Sequence, residues 1–136
     1  MEPRKIVEDL FLRIRTELSG KNAENLKQCF AVEAVQCVCG KPTRSGNEEI
    51  VAINLEGAAQ LASLGLDGYN YKDEIDEVLD MGSYLSVRFH GHIPLKENRQ
   101  PALYFRGMAV IQKQPAVIKW EYVEFQKHEF DNKSSL

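Results

Sequence analysis

Tyr84-Leu85-Ser86-Val87-Arg88-Phe89-His90-Gly91-His92-Ile93 is the stretch that decides how this chain folds. Leu85, Val87, Phe89, Gly91 and Ile93 alternate with Tyr84, Ser86, Arg88, His90 and His92. Successive strand residues point to opposite faces, so this period of two describes a strand with one face on a core and one towards water. Residues 70–80, 102–113 and 117–127 also read as strands, joined to this one (84–95) by short turns. Four consecutive strands linked this way form an antiparallel meander.

Upstream the period lengthens to three and four. Ile6, Val7, Leu10, Phe11, Ile14 and Leu18 lie on one face of a helix over 3–19, with Pro3 in its first turn and Gly20 at its end. A short helix over about 22–30 follows, with Asn22 as candidate N-cap. Residues 34–39 then read as a strand closed by Gly40 and Pro42. Ser45-Gly46-Asn47-Glu48 has the form of a capping box and predicts a helix over 47–64. The Gly57-Ala58-Ala59 centre of that helix would admit a second backbone closely. The order is α-α-β-α-β-β-β-β, an α+β class. A curved, mostly antiparallel sheet wrapped around a long helix makes a cone with an open mouth. Residues 1–130 are expected to form one domain, with a frayed tail over 131–136.

Composition narrows the partners. The chain has 136 residues, enough for one core, and 17 Lys+Arg against 20 Asp+Glu, a net charge of −3. That balance offers no basic field for phosphate backbones, so no nucleic-acid partner is expected. No apolar run reaches the ~18–20 residues of a membrane span, and Glu8, Asp9, Arg13 and Arg15 interrupt any signal-like N-terminal segment. Three cysteines cannot complete a disulfide framework and read as reduced, mostly buried thiols. The expected compartment is therefore cytoplasmic or nuclear.

Register predicts which side chains share a face. A turn near Asn98 pairs Ile93 with Leu103, Gly91 with Phe105, Phe89 with Gly107 and Val87 with Ala109. A turn at Gln114-Pro115 then opposes Gly107 to Tyr122 and Ala109 to Trp120. On this reading Phe89, Phe105, Trp120 and Tyr122 line the concave face, with Cys37 or Cys39 beside them. They either fill the core or leave an apolar pocket, with the Tyr122 hydroxyl and Trp120 indole as polar handles. No catalytic residue is assigned: Glu121 and Glu124 leave the face or lie near its end, and Asp73, Glu74, Asp76, Glu77 and Asp80 read as a solvated coat. The convex face carries Arg88, His90, Tyr104, Arg106, Met108, Glu121 and Val123, an interface composition, with Arg88 and Glu121 able to pair diagonally. His90 and His92 share that face, but only His128 near the tail could join them, so neither a metal nor a cofactor is assigned.

Several segments resemble the nuclear transport factor 2-like superfamily, also called SnoaL-like. They are Leu26-Lys27-Gln28-Cys29-Phe30, the Gly46…Ile50 helix start, Phe89-His90-Gly91-His92-Ile93 and Tyr104-Phe105-Arg106-Gly107-Met108-Ala109-Val110. The resemblance spans roughly 4–127 and implies a cystatin-like α+β cone. It also implies a homodimer through the outer sheet face, and a protein partner or a small apolar ligand at the cone mouth. The leading expectation is a non-catalytic interaction or ligand-binding module. The alternatives are a small isomerase or hydratase acting in the cone, and a heterodimer partner in nucleocytoplasmic transport. Leu95-Lys96-Glu97-Asn98-Arg99-Gln100-Pro101 is mixed in charge where the transport factor's loop is acidic, which points away from a GTPase partner.

Overall fold

The first helix, α1 (Pro3–Ser19), carries proline in its first turn and buries Val7, Leu10, Phe11 and Leu18, the face that its spacing predicts. The computed structural model describes residues 2–126. The tail expected over 131–136, and His128, lie outside the described residues. Helix α2 (Ala23–Lys27) is capped by Asn22, whose side-chain oxygen accepts from the Asn25 amide at 3.2 Å. It is shorter than expected because Phe30 is drawn into strand β1 (Phe30–Val38), where it pairs with Ile118.

The capping box does not form. Ser45 is taken by β2 (Arg44–Ser45), a two-residue edge strand on β1. Helix α3 (Asn47–Ser63) starts instead from Gly46 at φ 91°, a left-handed conformation that suits glycine. A 3₁₀ turn (Gly68–Asn70) then leads into β3 (Lys72–Asp80), β4 (Tyr84–Pro94), β5 (Pro101–Lys113) and β6 (Ala116–Gln126). Gly68 lies so close to the α3 backbone that a Cβ there would sit 3.0 Å from the Ala58 Cα, a close approach at the small-residue centre of α3.

The sheet has six strands in the order β2-β1-β6-β5-β4-β3. Only β1 and β6 run parallel; every other neighbouring pair is antiparallel. The α+β fold is thus the one the strand and helix periods predict. The β4–β5 register is also as predicted, with Phe89 opposite Gly107 and Gly91 opposite Phe105. Each phenylalanine ring lies over the opposing glycine: a Cβ on Gly107 would sit 2.5 Å from the Phe89 ring, and one on Gly91 equally near Phe105. Such ring-over-glycine pairs let the sheet curl tightly. Phe11 of α1 meets Phe89 edge to face at 5.4 Å, which seats the helix in the concavity.

The β5–β6 register corrects the expectation. At the turn it is as predicted, with Lys113 opposite Ala116 and Ile111 opposite Ile118. Val110 then pairs with Trp120, so Lys119 is an extra residue, a β-bulge. Beyond it Ala109 opposes Glu121 and Gly107 opposes Val123. A one-residue slip exchanges the two faces of a strand. Glu121 and Val123 therefore turn into the cone, and Trp120 and Tyr122 turn out. A second shift between Ile75 and Glu77 leaves Asp76 as an extra residue in β3.

Candidate functional site

Between α1, α3 and the concave sheet face lies a cavity of about 750 Å³, so the side chains do not fill the cone. Phe89 and Phe105 line it as expected, joined by Phe11, Tyr71 and Phe125. The rings run as a chain of edge contacts, Phe89 to Phe105 at 6.4 Å and Phe105 to Phe125 at 6.0 Å. Tyr71 meets Phe105 at 5.8 Å. Leu64 and Phe125 line the cavity and are exposed, which sets them at its mouth.

Exposed Lys41, Glu56 and Gln60 also line this space, while its buried and half-buried hydrogen-bonding side chains enter at two places. The first is a row across three neighbouring strands. Arg44 on β2 is the cross-strand partner of Gln36 on β1, and Gln36 that of Glu121 on β6. The Arg44 guanidinium donates to Gln36 Oε1 at 2.8 Å and to Asn54 Oδ1 on α3 at 3.3 Å. Gln36 Nε2 donates to Glu121 Oε1 at 2.7 Å. The small Ala109 stands on the other side of Glu121, which leaves the carboxyl room to face the cavity. Burial pushes the Glu121 carboxyl above the ordinary carboxylate range. The Gln36 hydrogen bond and Arg44 oppose the rise, and Asp73 adds to it.

The second place is the start of β3. Asp73 pairs with Gly91 on the inner face, in step with Ile75, and its side chain is 7% exposed. This corrects the reading of Asp73 as part of a solvated coat. Its partner is the Arg15 guanidinium of α1. Burial raises the Asp73 carboxyl, and Arg15 only partly offsets that. Burial also raises the Tyr71 phenol well above its ordinary value, so Tyr71 stays a neutral donor at any physiological pH.

The convex face gains what the concave face loses. Trp120 and Tyr122 join Tyr104, Met108 and Val110 there, by the register of β5 and β6. The Tyr122 hydroxyl donates to Glu124 Oε2 at 3.0 Å and is pushed up to about 12, chiefly by that bond, so it is no handle for a ligand in the cone. Arg106 pairs with Glu124. Arg88 pairs with Glu77 at 3.0 Å rather than with Glu121, which lies on the opposite side of the sheet. His90 is engaged by Asp76 at 2.7 Å and Glu74 at 3.4 Å. Cys29 is buried, but Cys39 is exposed, against the expectation of mostly buried thiols. Among the described residues, no cluster of three or more His, Cys, Asp or Glu side chains could hold a metal. No helix among them is long and apolar enough to cross a membrane.

No family model matches the chain, and no curated protein matches it. Solved structures do. A nuclear transport factor 2-like protein with a cystatin-like fold from Novosphingobium aromaticivorans aligns over 98% of this chain and 88% of its own, with a TM-score of 0.77 at 14% identity. A ketosteroid isomerase-like protein from Erwinia carotovora atroseptica covers 91% of this chain and 96% of its own, at TM-score 0.68 and 12% identity. A protein with a ketosteroid isomerase-like fold from Catenulispora acidiphila, solved with trimethylamine, covers 84% and 82%, at TM-score 0.55 and 14% identity. At these identities the likeness is one of architecture, and the chain has the nuclear transport factor 2-like, cystatin-like fold.

Proposed function

We propose that the chain binds a small, mostly apolar molecule inside the cone and moves a proton on it, with Glu121 as the proton-transfer group. The observation that carries this reading is a desolvated carboxyl, held by one donor, on the wall of an apolar cavity of about 750 Å³. A base is most useful when its proton affinity approaches the working pH, and burial moves Glu121 in that direction. Tyr71 supplies the complementary group, a phenol that donates to a ligand oxygen while Glu121 takes a proton from the carbon beside it. Returning that proton to a neighbouring position would complete an isomerisation. The trimethylamine in the Catenulispora structure is a small organic molecule with a protein of this architecture, which fits the same use of the fold.

Nuclear magnetic resonance tests the reading by following deuterium uptake next to the carbonyl of small unsaturated ketones. The wild type should accelerate uptake, and Glu121→Gln should lose ~10²–10⁴ of that acceleration. Should bound ketones exchange no faster than free ones, and Glu121→Gln bind them equally well, the cone is a binding site alone. That outcome would return the protein to the non-catalytic module favoured by its sequence. We further propose that the convex sheet face joins two copies in a homodimer. Apolar and aromatic side chains among charged ones are the composition of such a surface.

A further inference from the structure

We propose that Arg44 is a positioning residue: it fixes which way round the Gln36 amide sits, and through that amide keeps a hydrogen-bond donor on Glu121. The inference rests on the role given to Glu121 above. A glutamine side chain has one accepting and one donating end, and either can face a neighbour. Gln36 is 4% exposed, so water does not choose for it. Arg44 does, because a guanidinium can only donate. With Nη1 of Arg44 at 2.8 Å, the amide oxygen is committed to the edge of the sheet. The amide nitrogen is then committed to Glu121 Oε1 at 2.7 Å, and a donor there favours the ionised carboxylate over the acid.

Asn54 of α3 holds the same guanidinium nitrogen from the other side, so the orientation is anchored in both sheet and helix. The short strand β2 gains a reason to exist: it brings Arg44 into line with Gln36 and Glu121. The other charged or titratable groups around Glu121 are Asp73, bound to Arg15 of α1, and Tyr71, with Glu49 of α3 in the field of Arg44. None of them touches the Gln36 amide in the hydrogen-bond network. Without Arg44 the amide is free to turn its oxygen to Glu121, which then holds its proton more tightly.

Titration of the Glu121 carboxyl carbon by nuclear magnetic resonance tests this without any turnover. Arg44→Met and Gln36→Leu should each raise its proton affinity roughly tenfold, the worth of one charge-assisted hydrogen bond. The double variant should exceed Gln36→Leu only by the direct effect of the Arg44 charge on Glu121, a smaller increment than Arg44→Met gives when Gln36 is present. Arg44→Lys should restore most of the wild-type behaviour, since an ammonium also only donates. If Arg44→Met does not fold, Arg44→Gln, which can donate or accept, carries the same expectation. An unchanged titration in Arg44→Met overturns the proposal. So does an equal increment from Arg44→Met in the presence and absence of Gln36, which would mean that its charge acts directly through space. Deuterium uptake is read separately, so the proton-transfer role can fail while the titration still reports on the amide.

Discussion

A carboxyl that is raised by burial makes the folded state hold a proton that the unfolded chain releases. Glu121 is such a group, with burial the largest cause and Asp73 adding to it. Below the ordinary carboxylate range both states are protonated and nothing is lost. As pH rises from that range through the raised folded value, the unfolded chain ionises first and stability falls. Glu121→Gln keeps an acceptor for Gln36 and removes the titration. It should therefore be more stable than the wild type by ~0.5–2 kcal/mol at neutral pH, as often follows when a buried, poorly compensated charge is removed. Paired thermal melts from about pH 4 to about pH 9 check this, and the gap between the two proteins should close on the acid side. A gap that is constant with pH would mean that Glu121 is not titrating in the cone. Burial raises Asp73 in both proteins, but its charge interacts with Glu121, so the difference between the two proteins reports the coupled pair rather than Glu121 alone.

Bulges, edges and turns separate what was legible at the level of elements from what was not. Long periods were readable: α1, α3 and the four meander strands lie within a few residues of their predicted bounds. The β4–β5 register followed from one turn and one run of alternation. The β5–β6 turn is centred where the sequence predicts, yet beyond the Lys119 bulge Trp120, Glu121, Tyr122 and Val123 all lie on the face opposite to the expected one. A bulge leaves no mark in alternation, because Lys119 is as polar as a solvent-facing residue should be, and Glu121 looked equally natural outside. Asp73 is hidden in the sequence for a related reason, since the acids around it read as one solvated run. Its even spacing from the inward Ile75 was the available signal. Strand β2 is too short to show any period, and its pairing overrode the capping box at Ser45. The bulge also predicts an unusual tolerance. Deleting Lys119 leaves Ile118 facing in and Trp120 facing out in a regular ladder, so the site should survive. We expect a loss of ~1 kcal/mol, from the Lys119–Glu33 pair and the local twist. Unchanged fluorescence of Trp120, the single tryptophan, would report the retained face. A strong blue shift would show that the strand had slipped instead.

The whole molecule is one curved sheet with two contrasting faces, a ligand-sized hollow within and an aromatic, ion-paired surface without. If that outer surface joins two copies, sedimentation at micromolar concentration should give a dimer. Arg106→Glu, which sets a second carboxylate beside Glu124, should give a monomer. A wild type that stays monomeric at about 100 µM would exclude a stable dimer, since a standard interface of ~800 Å² per partner ordinarily suffices well below that. The parallel pairing of β1 with β6 has a consequence of a different kind. The meander β3 to β6 closes through local hairpins, whereas Gln36 and Glu121 are 85 residues apart in the chain and meet only when the first strand docks beside the last. A contact of such long range carries a larger loop-closure cost than a hairpin and is expected to form after the local pairs. A chain that has formed only its meander would thus hold four strands of its sheet while Glu121 still lacks the Gln36 amide beside it.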